Sequence, residues 1–226
     1  MSGPVSGWVS PELRDEFPHL GLRYVELVGS PGKTPRPVRE RLRVMSNRFT
    51  GGKAINTRQQ PVPWAYRVFY RQIGIDPDDR RTPIEEVVLE RMKLGGFVSR
   101  GLPDDALLIA TVETGVGMLA LDADALDGPP GLRLATAGER LGGKGRRLTP
   151  RQIVVADASR AVGVLFGDVA EGSEVRSSTR RLTVAAVRVK GVPEVSVEEA
   201  LWTVVETLDA SPAEPSAGAT TSRGTG

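Results

Sequence analysis

Polar residues with a spacing suited to chemistry fall in two places. Asp168, Glu171, Ser173 and Glu174 crowd the stretch GDVAEGSEVRSST, and Thr111, Glu113 and Thr114 precede the apolar run Met118 to Leu121. Two carboxylates facing one cleft can share acid and base roles and activate a water. Asp168 and Glu171 are therefore the candidate acid/base pair, and Thr111, Glu113 and Thr114 are candidate substrate contacts. The same loop composition also describes an ordinary exposed turn. The chain has no cysteine and one histidine, His19. Disulfides, thiolate nucleophiles and Cys- or His-based zinc sites are thereby excluded. A Ser-His-Asp triad would have to use His19, which sits between Pro18 and Leu20 in a probable entry loop. Hydrolysis by this chain would rest on water aligned by carboxylates, backbone groups or the substrate, with no metal and no cofactor.

A second chemistry is suggested and dismissed by spacing. GSPGKT, residues 29–34, follows a strand-like run and precedes a helix-like one. A phosphate-binding loop needs four residues between its first glycine and the Gly-Lys pair, so that successive N–H groups wrap the phosphates. Only two separate Gly29 from Gly32, and Leu27 stands where the first glycine belongs.

Charge is uneven. Up to Arg71 the chain holds twelve Lys or Arg against five Asp or Glu, while the remainder has five more acids than bases. A basic N-terminal third can draw an anionic partner by long-range attraction. Arg36, Arg39 and Arg43 are the candidate contacts to RNA, although arginines at such spacing also make the solvated face of a helix. Trp64, Tyr66, Arg67, Phe69, Tyr70 and Arg71 form a second cluster. As a helix, Tyr66, Phe69, Tyr70 and Ile73 share a core face and leave Arg67 and Arg71 at its edge, as further RNA candidates.

The elements that must position these groups are legible as periodicities. Residues 1–20 read as a loop-like lead, 21–208 as one domain, and 209–226, poor in large apolar residues, as a disordered tail. Leu22 to Val28 has strand composition, and Pro37 to Phe49 has helical spacing. Thr50 to Pro63 reads as a connection, and Trp64 to Ile73 as a helix ended by Gly74. Thr82 is a plausible N-cap, followed by Pro83 and by Glu85 and Glu86 in the first turn, with a stop at Gly95-Gly96. Thr111 to Thr114 reads as strand. Leu132 to Ala135, Ile153 to Ala156, Val162 to Phe166 and Leu182 to Val187 are short strands between glycine turns. Val197 to Leu208 is a last helix capped by Ser196. This order predicts an α+β fold with helices covering a sheet layer. With 226 residues and no long apolar run, a soluble cytoplasmic protein is expected.

The order LALD corner, LRLA strand, glycine-bearing hairpin, IVVAD strand and VGVLFG strand, between Val112 and Val187, resembles the B3/B4 domain, the editing domain of the phenylalanyl-tRNA synthetase beta subunit. It looks even more like the stand-alone bacterial proteins built from that domain alone. The resemblance implies a three-layer sandwich of two β-sheets and a helical layer. It implies an activity too: hydrolysis in trans of a mischarged aminoacyl-tRNA ester. The family's corner histidine falls at Leu119, its tyrosine-reading glutamate near Ala185, and its pocket-opening glycines at Leu165-Phe166. Leu119, Phe166 and Ala185 thus join the candidate substrate contacts, in a site suited to a smaller or more apolar aminoacyl group. The alternative is a non-catalytic module that binds tRNA, an amino acid or a small metabolite.

Overall fold

The computed structural model describes residues 3–49 and 51–209. Beyond Asp209 itself, the expected tail lies outside the described residues. In chain order the elements are β1 (Val5–Ser6), β2 (Trp8–Val9), α1 (Pro11–Glu16), β3 (Gly21–Val28), α2 (Arg36–Arg48), α3 (Gly51–Thr57), α4 (Pro61–Gln72), α5 (Pro83–Leu94), α6 (Asp104–Thr114), β4 (Met118–Asp122), β5 (Gly131–Leu134), β6 (Ile153–Ala156), β7 (Ala161–Val164), β8 (Arg181–Arg188) and α7 (Glu194–Asp209). Two four-stranded sheets result, ordered β1-β3-β8-β4 and β2-β5-β6-β7. Every pair is antiparallel except β2 with β5. The expected α+β class holds.

The centre of the first sheet is β8, whose residues from Leu182 to Val187 are all buried. Alternate strand residues point to opposite faces, so burial of every residue means that both faces are covered. α7 packs against β8 and β3 on the strength of Val197, Leu201 and Val204, and β3 also touches β2 and β5 of the second sheet. A separate apolar cluster, with Val38, Leu42, Ile84, Val88 and Ile109, joins α2, α5 and α6.

Four expectations are corrected. Residues 1–20 are not a plain loop: they supply a strand to each sheet and a helix whose Leu13 is fully buried. At Gly131, the partner of Trp8 in the parallel pair, an added Cβ would lie 2.1 Å from the indole, so only glycine admits the ring. The connection expected from Thr50 to Pro63 contains α3 and the first turn of α4. Thr111 to Thr114 close α6 rather than forming a strand, because Ala106, Ile109 and Ala110 bury the helix regardless of the local β-branched residues. α7 begins at Glu194, which places Ser196 inside its first turn instead of at a cap.

Candidate functional site

A cleft of about 950 Å³ opens beside β4, α4 and α5. Its floor is apolar: Tyr70 from α4, Met118 and Leu119 from β4, Val164 at the end of β7, Phe166 just beyond, and Val187 from β8. One wall is α5, with Glu86, Val87, Glu90 and Lys93; Asp79, Arg80, Arg81, Arg100 and Asp168 complete the rim.

The floor is built by the aromatic helix. Tyr66, Phe69 and Tyr70 are buried on one face of α4, as the periodicity predicts. The Tyr66 hydroxyl donates to Val187 O at 2.5 Å and accepts from Gly117 N–H at 3.1 Å, pinning the end of β8 to the entry of β4. Burial pushes its phenol well above the ordinary range, and Tyr70 likewise. Phe166 stacks on Tyr70 at 5.5 Å and meets Tyr66 edge-on at the same distance. Phe166 has φ +53°, a left-handed conformation costly for a side chain with a Cβ. Its carbonyl is held by Arg80 Nη2 at 2.8 Å.

Arg80 is in turn placed by the turn between α4 and α5. Arg67, 5% exposed, donates to Glu85 at 2.5 Å and Asp78 at 2.8 Å. Glu85 also accepts from Thr82 N–H (3.2 Å) and the Thr82 hydroxyl (2.7 Å), the expected cap of α5. The hydrogen bond from Arg67 holds the Asp78 carboxyl below its ordinary range.

Among the predicted site residues, the structure sets Leu119 beside Ala185 and places Leu119 and Phe166 in one cleft. Leu119 and Ala185 are direct partners in the antiparallel register of β4 and β8, so their side chains share a face. Ala185 is fully buried, and Leu119 lines the cleft above it. Asp168 reaches the rim, 70% exposed and paired with Arg146 at 3.0 Å. Glu171 is exposed and lies off the cleft, so the expected carboxylate pair does not converge there. Thr111 lines a neighbouring cavity of about 270 Å³. Glu113 pairs with Arg41 at 2.6 Å, and Thr114 closes α6 by donating to Ala110 O. Neither touches the cleft.

The RNA candidates are similarly redistributed. Arg36, Arg39, Arg43, Arg67 and Arg71 are all absent from the cleft lining. Arg39 donates to Thr34 O, and Arg43 pairs with Glu40. Arg67 is a buried tie, not an edge cation, because two carboxylates from the following turn and helix satisfy its fork. Arg71 is exposed and lies over the Trp64 ring at 6.0 Å. His19 is exposed in a turn. The cleft's cations are Arg80, Arg81, Lys93 and Arg100. The last pairs with Glu90, and Arg81 pairs with Asp78. Arg80-Arg81 sit between a turn and a helix cap in DPDDRRTP, a place where side chains flank a helix entrance; that was the available signal.

Among the described residues no group of three His, Cys, Asp or Glu could hold a metal. No described helix is long and apolar enough to cross a membrane. No protein-family model matches the chain, and no curated protein matches it.

Proposed function

We propose that the chain is a stand-alone editing-type domain of B3/B4 architecture, with its two sheets and helical cover as the three layers. Its cleft receives the aminoacyl end of a charged tRNA and releases the amino acid by hydrolysis. The observation that carries this reading is the pairing of Leu119 with Ala185. The resemblance assigns these two positions, 66 residues apart, to one amino-acid pocket, and the β4–β8 register sets them side by side, with Leu119 in the cleft lining and Ala185 buried next to it. Apart from Tyr70, the floor is apolar (Met118, Leu119, Val164, Phe166 and Val187), and it holds no carboxylate to read a phenol hydroxyl. An apolar, non-aromatic side chain is the better occupant, since an unpaired buried hydroxyl costs about 1–3 kcal/mol. Arg80, Arg81 and Lys93 on the rim supply charge for the nucleic-acid end.

In the reaction a water oxygen adds to the ester carbonyl and the bond to the ribose oxygen breaks. The water's proton passes to a base and then to the leaving oxygen. Asp168 is the rim carboxylate assigned to that base, and the neighbouring ribose hydroxyl assists. A second reading, a binding module without hydrolysis, draws support from the ion pair of Asp168 with Arg146 and from Glu171 lying off the cleft.

A panel of radiolabelled aminoacyl-tRNAs separates the two. We expect deacylation of members with apolar, non-aromatic side chains, lost in Leu119→Arg, which fills the cleft, and reduced at least tenfold in Asp168→Asn. Filter retention of those members without hydrolysis establishes the binding module. Neither hydrolysis nor retention of any member overturns the proposal.

A further inference from the structure

The helix α5 is apolar on two sides. Ile84 and Val88 are buried against the body of the fold, while Leu89 and Met92, one turn apart, are 40% and 55% exposed. Ile55 of α3 is exposed beside them, and the three line a groove of about 280 Å³ between α3 and α5. A surface helix ordinarily carries one apolar face, turned to its core. A second apolar face, shared with a neighbouring helix and fringed by charge, marks an interaction surface.

The fringe has an order. Glu86 and Lys93 are both exposed and lie seven residues apart. Two helical turns therefore put them on the same flank of the line from Leu89 to Met92. Neither side chain makes a hydrogen bond or ion pair with the described residues. The other acids of the helix's middle are committed within the fold, Glu85 to Arg67 and Glu90 to Arg100. A fringe of one sign would suit a foreign helix of the opposite sign. An acid and a base two turns apart on one flank suit the same helix reversed. When two antiparallel copies of α5 meet about a two-fold axis between Leu89 and Met92, Leu89 of each packs on Met92 of the other. Glu86 of each then reaches Lys93 of the other, because every contact in such an interface occurs twice.

We infer that the outer face of α5 is a docking surface for a second copy of this chain, in an antiparallel two-fold dimer seamed by Leu89 and Met92 and closed by two Glu86–Lys93 pairs. The inference holds whatever the cleft binds, yet it bears on the cleft. α5 is one wall, and Glu86, Leu89 and Lys93 line it, so the second copy sits beside each cleft mouth. The Lys93 ammonium has three donors and can hold a carboxylate across the axis together with an anion at the rim. A helix of this length spans about 18 Å. Even with Ile55 at its edge, the interface is at the small end for a specific dimer, and the association is reversible.

Sedimentation equilibrium of the whole chain tests this. We expect a monomer–dimer equilibrium with the dimer dominant at about 100 µM. Glu86→Lys and Lys93→Glu should each weaken association at least tenfold, roughly, because like charges then face each other across the axis. An equimolar mixture of the two single variants should regain the dimer, and so should the double variant Glu86→Lys, Lys93→Glu, because every facing pair again joins opposite charges. That recovery also shows that the single variants are folded. A wild-type chain that stays monomeric at about 100 µM overturns the inference. So does a dimer that both single variants leave intact, and so does a loss that neither the mixture nor the double variant repairs.

Discussion

Arg67 shows how a single side chain changes meaning when its partners arrive from elsewhere in the chain. Its helix could be read from periodicity, and so could the burial of Tyr66 and Tyr70 on either side of it. What no periodicity reveals is that Asp78 and Glu85, 11 and 18 residues on, return to meet the guanidinium. A cation expected at the edge, facing RNA, is instead the tie between α4 and α5. Removing one member of such a buried pair strands the other's charge, which costs about 3–5 kcal/mol. Arg67→Met is therefore expected to lower the free energy of unfolding by about that much in a urea titration. Adding Glu85→Gln to it should recover part of the loss, because the stranded carboxylate is gone. A loss under about 1 kcal/mol in the single variant would mean that the tie contributes little. By contrast, the Thr82–Glu85 cap was readable directly, because both partners lie within one turn of each other.

At the scale of elements, the decisive piece is the short turn after β7. The run VLFG reads as a strand extending to Phe166, yet the strand stops at Val164 and the chain turns over with Phe166 left-handed. A phenylalanine there is locally disfavoured, and its retention is explained by packing: Tyr66, Phe69 and Tyr70 surround the ring, and Arg80 holds the carbonyl. Local strain and tertiary packing oppose each other, so their separate sizes can be measured. Phe166→Ala loses the packing and keeps the strain, whereas Phe166→Gly loses both. We expect the glycine variant to be more stable than the alanine variant by about 1 kcal/mol. Equal stability, or an advantage for alanine, would show that the positive φ carries no strain. The misread end of α6 follows the same physics in reverse. The TVET segment favours a strand taken alone, and contacts of α6 with α7 and α2 override that preference. The cleft lies where these tertiary decisions meet. Its floor strands were readable, and its walls, contributed by α5 and the Arg80 turn, were not assigned to a site.

For the molecule as a whole, the segment before β3 is what joins the two sheets. β1 belongs to one and β2 to the other, with only Gly7 between them. Trp8 seats on Gly131 and donates its indole N–H to Pro129 O at 2.9 Å, and Leu13 is buried in the shared core. Composition alone, rich in proline and glycine, hid this role, because two-residue strands carry no alternation to detect. Deletion of residues 3–20 is expected to abolish the single cooperative thermal transition. A truncated protein that melts within about 5 °C of the full chain would show that the segment merely decorates the sheets.

The strand order of the first sheet sets a schedule for synthesis. β3 is flanked by β1 and β8, and its long partner β8 starts at Arg181, more than 150 residues after Val28. A ribosome adding about 5–20 residues per second needs roughly 10–30 s to cover that distance. Throughout that interval one edge of an eight-residue, apolar strand stands open, and pairing across such a separation is intrinsically slow to find. The nascent protein is thus exposed to wrong partners until β8 emerges, and a chaperone acting on it would have its task in that window.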